Sequence, residues 1–238
     1  MDVHPYAPAY DLERLRADAA NAMEGWAWRR GAYGHALSLP APEQLHGRCR
    51  YSYQNHPCTG QLDLCSYFQE IFDSFQCPKL SFRLLRRAPH SAYAWHADAW
   101  KGPGVVRFQI PIETNERALL VLSDYAQVEQ LRPHGAQTSV AEAEAANDGH
   151  VRAHCLEPGV LYYFNTSHVH TLVNDGDCER ITLSFDLLAN DWLVANYPEV
   201  CEEAVVTDPA EPGAARLLLA RAGSLLHPLR NRLRPGNG

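Results

Sequence analysis

Short stretches in the middle of the chain alternate hydrophobic and polar residues, and Gly, Pro, Asn and Asp lie between the stretches. A period of two is typical of β-strands that bury one face. The predicted strands are centred on Leu80-Phe82-Leu84, Val106-Phe108-Ile110, Ala118-Leu120-Leu122, Val160-Tyr162-Phe164 and Ile181-Leu183-Phe185. The middle of the chain is therefore predicted to be mainly β.

Helical periodicity replaces this alternation on either side of the predicted strands. Asp11 is predicted to cap a first amphipathic helix, whose apolar side comprises Leu12, Leu15, Ala19 and Ala22 or Met23. A second helix is predicted over residues 60–76, where Leu64, Phe68, Ile71, Phe72 and Phe75 recur at helical spacing. The apolar residues within 191–238 predict a C-terminal helical extension, which either packs on the preceding domain or forms a homodimer contact.

A histidine and a carboxylate stand two residues apart at His96 and Asp98, and another histidine follows at His170. Residues two apart lie on the same face of a strand, so His96 and Asp98 can bind one ion, and His170 from another strand completes a three-ligand set. Two imidazoles and one carboxylate leave three positions of an octahedron open. This set suits Fe(II) oxygen chemistry better than a closed structural zinc site, so we predict a non-haem Fe(II) centre.

Arg180 follows His170 by ten residues. If the strand that begins near Glu179 pairs beside the strand that ends near His170, the Arg180 guanidinium can reach the same cavity and hold a carboxylate in a bidentate fork. A 2-oxoacid that binds the iron through its keto and C1-carboxylate oxygens, with its distal carboxylate on Arg180, would use all of these groups. 2-Oxoglutarate has this shape, and O2 would be the other co-substrate.

Short strands that end in inward-facing ligands suit a double-stranded β-helix, the jelly-roll or cupin-like barrel whose two sheets enclose a cavity. We assign residues 1–190 to this domain, together with its N-terminal helices, and residues 191–238 to the C-terminal extension. Residues 125–153 are polar and alanine-rich, and they interrupt the strands between the two metal motifs. An insertion of this length is predicted to be a lid or a surface elaboration.

Two blocks of sequence also carry a resemblance. The first comprises Leu84-Leu85-Arg86-Arg87-Ala88-Pro89, His96-Ala97-Asp98 and Arg107-Phe108-Gln109-Ile110-Pro111-Ile112-Glu113-Thr114-Asn115. The second comprises Glu157-Pro158-Gly159, Tyr163-Phe164-Asn165, His170, Asn174, Arg180-Ile181-Thr182-Leu183 and Asp186. Together, within residues 80–190, they resemble the family of aspartyl/asparaginyl β-hydroxylases and L-proline hydroxylases, which are Fe(II)/2-oxoglutarate-dependent dioxygenases.

The resemblance implies a role for each matched residue. His96, Asp98 and His170 would hold the iron, and Arg180 would bind the C5 carboxylate of 2-oxoglutarate. Arg107 and Gln109 fall where the family places further polar groups on the cofactor side, although the family more often has His at the position of Gln109. Related halogenases replace the ligand carboxylate by a small residue that makes room for chloride, so an intact Asp98 favours hydroxylation.

Several of these assignments have an alternative. His168 competes with His170 as the ligand because a period of two puts both on one strand face. The ten-residue spacing to Arg180 favours His170, and His168 is then predicted to lie near the substrate. Trp95 and Trp100 flank the ligands and are predicted to wall the substrate cavity, with plain core packing as the alternative. Arg107 could instead be an ordinary surface arginine.

Composition narrows the class of partner. The chain has 238 residues, 46% of them hydrophobic, which is enough for one domain with a real core. A net charge of −7 argues against nucleic acid as a partner. No apolar run approaches the length of a membrane span, and Met1-Asp2-Val3-His4-Pro5 does not resemble the start of a signal peptide. We therefore expect a cytoplasmic enzyme, and seven scattered cysteines fit a reducing compartment.

The expected activity is hydroxylation of an amino acid, or of an aspartyl, asparaginyl or prolyl-type residue in a peptide, coupled to conversion of 2-oxoglutarate to succinate and CO2. Two other classes stay open. The same metal ligands could serve a cupin-like enzyme that uses no 2-oxoglutarate, although Arg180 and Arg107 weigh against that reading. The barrel could also be non-catalytic and bind a metabolite or a partner protein. Formation of succinate during turnover separates the three classes.

Overall fold

The structure, a computed structural model, describes residues 3–24, 30–31, 34–46, 58–98, 104–124 and 151–202. Three sequence predictions fall at least partly outside this range: Trp100, residues 125–150 of the predicted insertion and residues 203–238 of the predicted extension. No helix within the described ranges is both long enough and apolar enough to cross a membrane.

The described strands form two sheets in which all neighbouring strands are antiparallel. They are β1 (His4–Tyr6), β2 (Arg30–Gly31), β3 (Gly34–Ser38), β4 (Lys79–Arg87), β5 (Ser91–Ala92), β6 (Val105–Glu113), β7 (Ala118–Ser123), β8 (Val151–Cys155), β9 (Leu161–Tyr163), β10 (Val169–Asn174) and β11 (Arg180–Leu188). The larger sheet has the order β1-β9-β6-β11-β4-β3-β2, and the smaller sheet has the order β5-β10-β7-β8. Two antiparallel sheets with this crossed-over strand order confirm the predicted jelly-roll barrel.

Strand β11 lies at the centre of the larger sheet, between β6 and β4, and is buried on both faces. Its odd-numbered residues Ile181, Leu183, Phe185 and Leu187 are apolar and belong to the main hydrophobic core. Its even-numbered residues Arg180, Thr182, Ser184 and Asp186 are polar and also buried. Side chains alternate along a strand, so β11 presents one apolar face and one polar face.

The polar face of β11 looks into the space between the two sheets. Gln109 of β6 is directly opposite both Ser184 and Tyr162, and residues directly opposite on antiparallel strands share a face. Tyr162 packs in one apolar cluster with Leu120 and Leu122 of the smaller sheet. Because Tyr162 bridges the sheets on this side, the buried polar residues of β11 line the barrel interior.

Three α-helices accompany the sheets in the described residues: α1 (Leu12–Met23), α2 (Ser66–Ser74) and α3 (Asp191–Asn196). Shorter 3-10 turns lie at Pro42–Gln44, Gln61–Leu64 and Pro198–Glu202. The Asp11 side chain accepts a hydrogen bond from the Arg14 amide at 3.1 Å, which confirms the predicted N-cap. The predicted apolar stripe of α1 packs with α2 and α3 in the main core, on the apolar face of the larger sheet.

Two sequence predictions about elements are wrong in detail. The predicted helix over residues 60–76 is divided at Cys65 into the 3-10 turn Gln61–Leu64 and helix α2, and Leu64 is 66% exposed instead of lying on the apolar side. A 3-10 turn has a tighter period than an α-helix, so the helical spacing does not extend through it. The residues 151–153, predicted as part of the insertion, form the start of β8 and pair with β7.

Candidate metal centre

His96 lies beside His170 of β10, and the two residues form an antiparallel β-bridge. The His96 amide donates to the His170 carbonyl at 3.0 Å, and the His170 amide donates to the His96 carbonyl at 2.8 Å. Two residues that exchange both backbone hydrogen bonds are directly opposite, so their side chains leave the sheet on the same side. The two imidazole centroids are 4.2 Å apart. Backbone pairing therefore brings together two histidines that are far apart in sequence.

Each imidazole is held by a carbonyl two residues before it in the chain. His96 Nδ1 lies 2.9 Å from the Ala94 oxygen, and His170 Nδ1 lies 2.8 Å from the His168 oxygen. A carbonyl only accepts hydrogen bonds, so Nδ1 carries the proton in both rings. Nε2 of each ring is then the unprotonated nitrogen, which is the form that binds a metal ion.

Asp98 completes the group. Its amide donates to the Thr166 carbonyl at 2.8 Å, and its side chain is buried, with Oδ1 4.0 Å from His96 Nε2. The ligand atoms of His96, Asp98 and His170 all lie within 4.8 Å of one another. The predicted triad is thus assembled in the structure, and His168 does not belong to the group. Two nitrogens and one carboxylate oxygen on one side of an ion leave the opposite positions open.

A buried charge network continues from Asp98 into the larger sheet. Arg107 donates from its terminal nitrogen Nη1 to Asp98 Oδ2 at 2.7 Å. The other two nitrogens of Arg107 lie on Asp186, with Nε 2.7 Å from Oδ1 and Nη2 3.0 Å from Oδ2. Arg83 and Ser81 also donate to Asp186 Oδ2, at 3.1 and 2.8 Å.

This network gives Arg107 and Asp186 roles that differ from those predicted from the sequence. Arg107 is buried and is not a surface arginine. The resemblance implies a place for Arg107 on the cofactor side, whereas the structure has all three of its nitrogens on the carboxylates of Asp98 and Asp186. Asp186 was matched in the sequence only as part of the family resemblance, and its link to the metal ligands was missed. The available signal was its even spacing from Arg180, which puts both on one face of β11.

Arg180 begins β11 and lies directly opposite Arg87 of β4. The strand pairing supposed from the sequence is wrong, because β11 pairs with β4 and β6 in the larger sheet, whereas the β10 strand of His170 belongs to the smaller sheet. It is 3% exposed, and its Nε and Nη2 atoms have no hydrogen-bond partner among the described residues. Burial, and then the nearby charge of Arg87, lower the pKa of Arg180 from its ordinary value to about 10. The side chain therefore stays charged at neutral pH. A buried cation with unsatisfied donors is a site that calls for an anionic ligand.

Further polar groups in the barrel interior also lack partners. The buried atoms Gln109 Oε1, Thr182 Oγ1 and Ser184 Oγ make no hydrogen bond within the described part of the chain. Ser184 is directly opposite Gln109, and Thr182 lies between Ser184 and Arg180 along the polar face of β11. Thr182 and Ser184 were not singled out by sequence reasoning, although the polar alternation along β11 was a visible signal. Unsatisfied polar atoms in a buried row indicate a lining built for a polar molecule.

The three residues predicted to lie near the substrate differ in position. Trp95 packs with Leu119, Val121 and Val169, on the opposite face of the smaller sheet from His170. His168 is half-buried in the turn before β10 and contributes its carbonyl to His170. Trp100 lies outside the described residues. Tyr93, another aromatic residue that flanks the ligands in the sequence, has its ring 4.5 Å from that of His96 and 4.8 Å from the Arg87 guanidinium carbon.

Comparison with known proteins shows that the chain shares its fold with solved structures. No family model matches the sequence, and no curated protein matches it. The structure of HygX from Streptomyces hygroscopicus, with nickel and 2-oxoglutarate bound, is similar with a TM-score of 0.51 and 10% identity, over 79% of this chain and 83% of HygX. At this identity the similarity shows that the two chains share a fold.

Two further structures are similar at lower scores. AviO1 from Streptomyces viridochromogenes has a TM-score of 0.45 and 16% identity, over 79% of this chain and 89% of AviO1. An oxidoreductase of the 2OG-Fe(II) oxygenase family from Burkholderia pseudomallei has a TM-score of 0.44 and 13% identity, over 78% of this chain and 85% of that protein.

Proposed function

We propose that this protein is an Fe(II)- and 2-oxoglutarate-dependent oxygenase. The observation that carries the proposal is the combination, in one barrel, of a two-histidine, one-carboxylate group with a buried arginine, Arg180, whose Nε and Nη2 have no partner among the described residues. The first group fits a ferrous ion with open positions, and the second fits the distal carboxylate of a 2-oxoacid. HygX, which shares the fold, has nickel and 2-oxoglutarate bound in its structure.

The residues present fit both groups. The Nε2 atoms of His96 and His170 and Oδ1 of Asp98 would hold the iron, since Nδ1 of each ring and Oδ2 of Asp98 are already hydrogen-bonded. Arg180 would hold the C5 carboxylate, which would satisfy the Nε and Nη2 donors that the described part of the chain leaves unpaired. Bound together, iron and 2-oxoglutarate supply the oxidising power that puts one atom of O2 into a C–H bond while 2-oxoglutarate becomes succinate and CO2.

The protein's own task is to hold and separate these parts. Gln109, Thr182 and Ser184 offer hydrogen bonds along the larger sheet, where the 2-oxoacid would lie. The opposite side of the interior is apolar, with Leu120, Leu122 and Phe164 in one cluster, and the Phe164 ring is 5.5 Å from that of His170. A cavity with one polar face and one apolar face would bind the co-substrate in one orientation. The apolar face would also exclude bulk water from the metal ligands.

The finer reaction we propose is hydroxylation of an amino acid, or of an aspartyl, asparaginyl or prolyl-type residue in a peptide. The resemblance of residues 80–190 supports this choice of substrate, and Asp98 supports hydroxylation over halogenation. A carboxylate in the third ligand position occupies the place that a halide would need. The unmodified enzyme should therefore form no chlorinated product, even at high chloride concentration.

A substrate screen tests the proposal. Fe(II)-loaded protein, 2-oxoglutarate and O2 are incubated with amino acids and short peptides, and succinate and product mass are measured. We expect at least one substrate to stimulate succinate formation and to gain one oxygen atom. Oxidation of a substrate without 2-oxoglutarate would support a cupin-like enzyme instead. Metal binding without any substrate-stimulated succinate across the screen would support a non-catalytic barrel, and a chlorinated product would contradict the role given to Asp98.

A further inference from the structure

The guanidinium of Arg107 is shared between two carboxylates in a fixed way. Asp186 takes Nε and Nη2, the two nitrogens on one edge, at 2.7 and 3.0 Å. This leaves Nη1 on the other side of the planar group, and Nη1 lies 2.7 Å from Asp98 Oδ2. Since a guanidinium is rigid and planar, holding one edge determines where the remaining nitrogen points. The direction of the bond to Asp98 is therefore set from Asp186.

We propose that Asp186 is a positioning residue for the metal centre, acting through Arg107 on Asp98. In this arrangement Arg107 engages Oδ2 of Asp98, while Oδ1 is the oxygen that lies toward the histidine ligands, 4.0 Å from His96 Nε2, and would bind the ion. Asp98 would then be a one-oxygen ligand with a fixed orientation, which is the arrangement that keeps further positions open for a co-substrate. The inference rests on the proposed function, because it concerns the ion bound by His96, Asp98 and His170.

Asp186 is suited to be an anchor because three adjacent strands hold it. On β11 it is directly opposite Ser81 of β4 on one side and Arg107 of β6 on the other. Ser81 Oγ donates to its Oδ2 at 2.8 Å, the Asp186 amide donates back to Ser81 Oγ at 3.2 Å, and Arg83 donates at 3.1 Å. Each of these residues is buried. A site supported by hydrogen-bonded partners on the centre of a sheet is held more rigidly than one supported by loops.

The charges balance within the network. Two guanidiniums, Arg83 and Arg107, face two carboxylates, Asp98 and Asp186, and all four are buried. Arg107 has five N–H donors, of which three are used in these bonds, so at most two remain for any other molecule. This differs from Arg180, where the Nε and Nη2 donors have no partner in the described ranges of the chain. The structure therefore assigns the two arginines different tasks, Arg180 toward a bound anion and Arg107 toward a metal ligand.

We call the chain of contacts from Asp186 through Arg107 to Asp98 the relay. A double-mutant cycle tests it through its effect on metal affinity. Co(II) is titrated into wild type, Asp186→Asn, Arg107→Gln and the double variant, and the Kd is measured from the absorption of the bound ion. Asp186→Asn should raise the Kd about 10- to 100-fold, the usual effect of losing a group that orients a metal ligand. Because both changes break one chain of contacts, the double variant should bind no more weakly than Arg107→Gln alone.

The matched control is Asp18→Asn, which makes the same chemical change at another buried aspartate, one that contacts the start of helix α2. Its Kd for Co(II) should equal that of wild type. Equal affinity in Asp186→Asn and wild type, or additive losses in the double variant, would overturn the relay while leaving the proposed function in place. Failure of wild type itself to bind Co(II) would instead remove the proposed function and the relay with it.

A crystal structure of the Mn(II)-loaded wild type gives an answer that does not depend on how well the variants fold. The expected result is Asp98 bound to the ion through one oxygen, with its other oxygen on Arg107 and Arg107 still paired with Asp186. An Asp98 that binds through both oxygens, or an Arg107 turned away from it, would overturn the inference.

Discussion

Within the metal centre, each imidazole is oriented by a backbone carbonyl and not by another side chain. Ala94 serves His96 and His168 serves His170, in both cases through the residue two positions earlier. The orientation of the ligands therefore depends on the course of the backbone, which is fixed by the paired hydrogen bonds between His96 and His170. A change of side chain at position 168 leaves its carbonyl in place.

This arrangement predicts different results for neighbouring histidines. His96→Ala or His170→Ala should abolish metal binding, because each removes one of three ligand atoms. His168→Ala should retain the metal, because the carbonyl that orients His170 is kept. Metal content after loading with Fe(II) without O2 and removal of free ion provides the measurement. Loss of metal in His168→Ala with retention in His170→Ala would move the site to His168.

Arg180 is buried, and its Nε and Nη2 have no hydrogen-bond partner within the residues that the structure describes. Its pKa in the folded state, about 10, lies well below the ordinary value of an arginine, so folding disfavours the charged form. Below pH 10 the side chain is charged in both the folded and the unfolded state, and this destabilisation is fully present. It is relieved only as the pH rises above about 10, where the folded state releases the proton first.

Arg180→Leu should therefore leave the ligand-free protein as stable as wild type or more stable. The same variant should lose the rise in Tm that 2-oxoglutarate gives to the metal-loaded wild type, because the carboxylate no longer has a partner. Thermal unfolding at neutral pH, with and without 2-oxoglutarate, measures both effects. A variant that is much less stable without ligand, yet still stabilised by 2-oxoglutarate, would show that Arg180 has a structural role.

Sequence spacing picked out His96 and Asp98, but the strand predicted to carry both is wrong: the segment around them is irregular, with only an isolated bridge at His96. The spacing also picked out Arg180, which begins β11. The network around Asp186 could not be predicted, because its partners Ser81 and Arg107 are 105 and 79 residues away in sequence. Only the register of β4, β11 and β6 brings these residues together, and a single sequence does not contain that register.

Among the elements, the long central strands and the first helix were predictable and the edge strands were not. Strands β4, β6 and β11 each have nine residues with clear alternation. Strand β1 has three residues, including Pro5, and strand β8 is a five-residue edge strand. A short edge strand forms because its backbone can hydrogen-bond to a neighbouring strand. This pairing does not require an alternating hydrophobic pattern, so the sequence does not reveal it.

Helix α2 begins in contact with helix α1. The Asp18 side chain of α1 accepts hydrogen bonds from the amides of Tyr67 and Phe68, at 2.8 and 2.9 Å. These amides lie in the first turn of α2, where no earlier carbonyl is available, and the side chain of Cys65 at the N-cap position accepts no capping hydrogen bond from them. A buried aspartate from another helix thus supplies the cap, a role that local sequence cannot reveal.

Asp18→Ala should lower the free energy of unfolding by about 0.5–2 kcal/mol, the usual effect of losing a capping group. Asp18→Asn should lower it less, because both amides donate to the single oxygen Oδ2 and the amide oxygen of asparagine can take its place. Urea unfolding followed by circular dichroism gives the comparison. Equal stability of Asp18→Ala and wild type would show that these two hydrogen bonds contribute nothing to the fold.

At the level of the whole molecule, the larger sheet separates two environments. Its outer face packs with the helices in an apolar core, and its inner face carries the polar and charged residues of the candidate site. The start of the predicted C-terminal extension belongs to the first environment. Leu193 of α3 and Val200 are fully buried in the main core, and the Tyr197 ring stacks on Phe75 at 5.8 Å.

Leu193→Ala should therefore lower the free energy of unfolding by about 2–5 kcal/mol, as expected for a core leucine. Leu64→Ala is the matched control at an exposed position and should change it by less than about 0.5 kcal/mol. Chemical unfolding of both variants measures the difference. A Leu193→Ala variant as stable as the control would mean that residues 191–202 are not part of the barrel's core. A homodimer through residues 203–238 stays a prediction.

Calorimetric titration of 2-oxoglutarate into the protein without O2, in the presence and absence of Mn(II), tests most directly whether the barrel binds a metal ion and 2-oxoglutarate together. We predict binding that strengthens markedly when Mn(II) is present, since one end of the molecule would bind the ion and the other end Arg180. The affinity should fall by one to several orders of magnitude in Arg180→Leu, because leaving one member of a buried charge pair unpaired costs roughly 2–5 kcal/mol. No binding to the metal-loaded wild type, or binding unaffected by both Mn(II) and Arg180→Leu, would show that the protein is not a 2-oxoglutarate-dependent oxygenase.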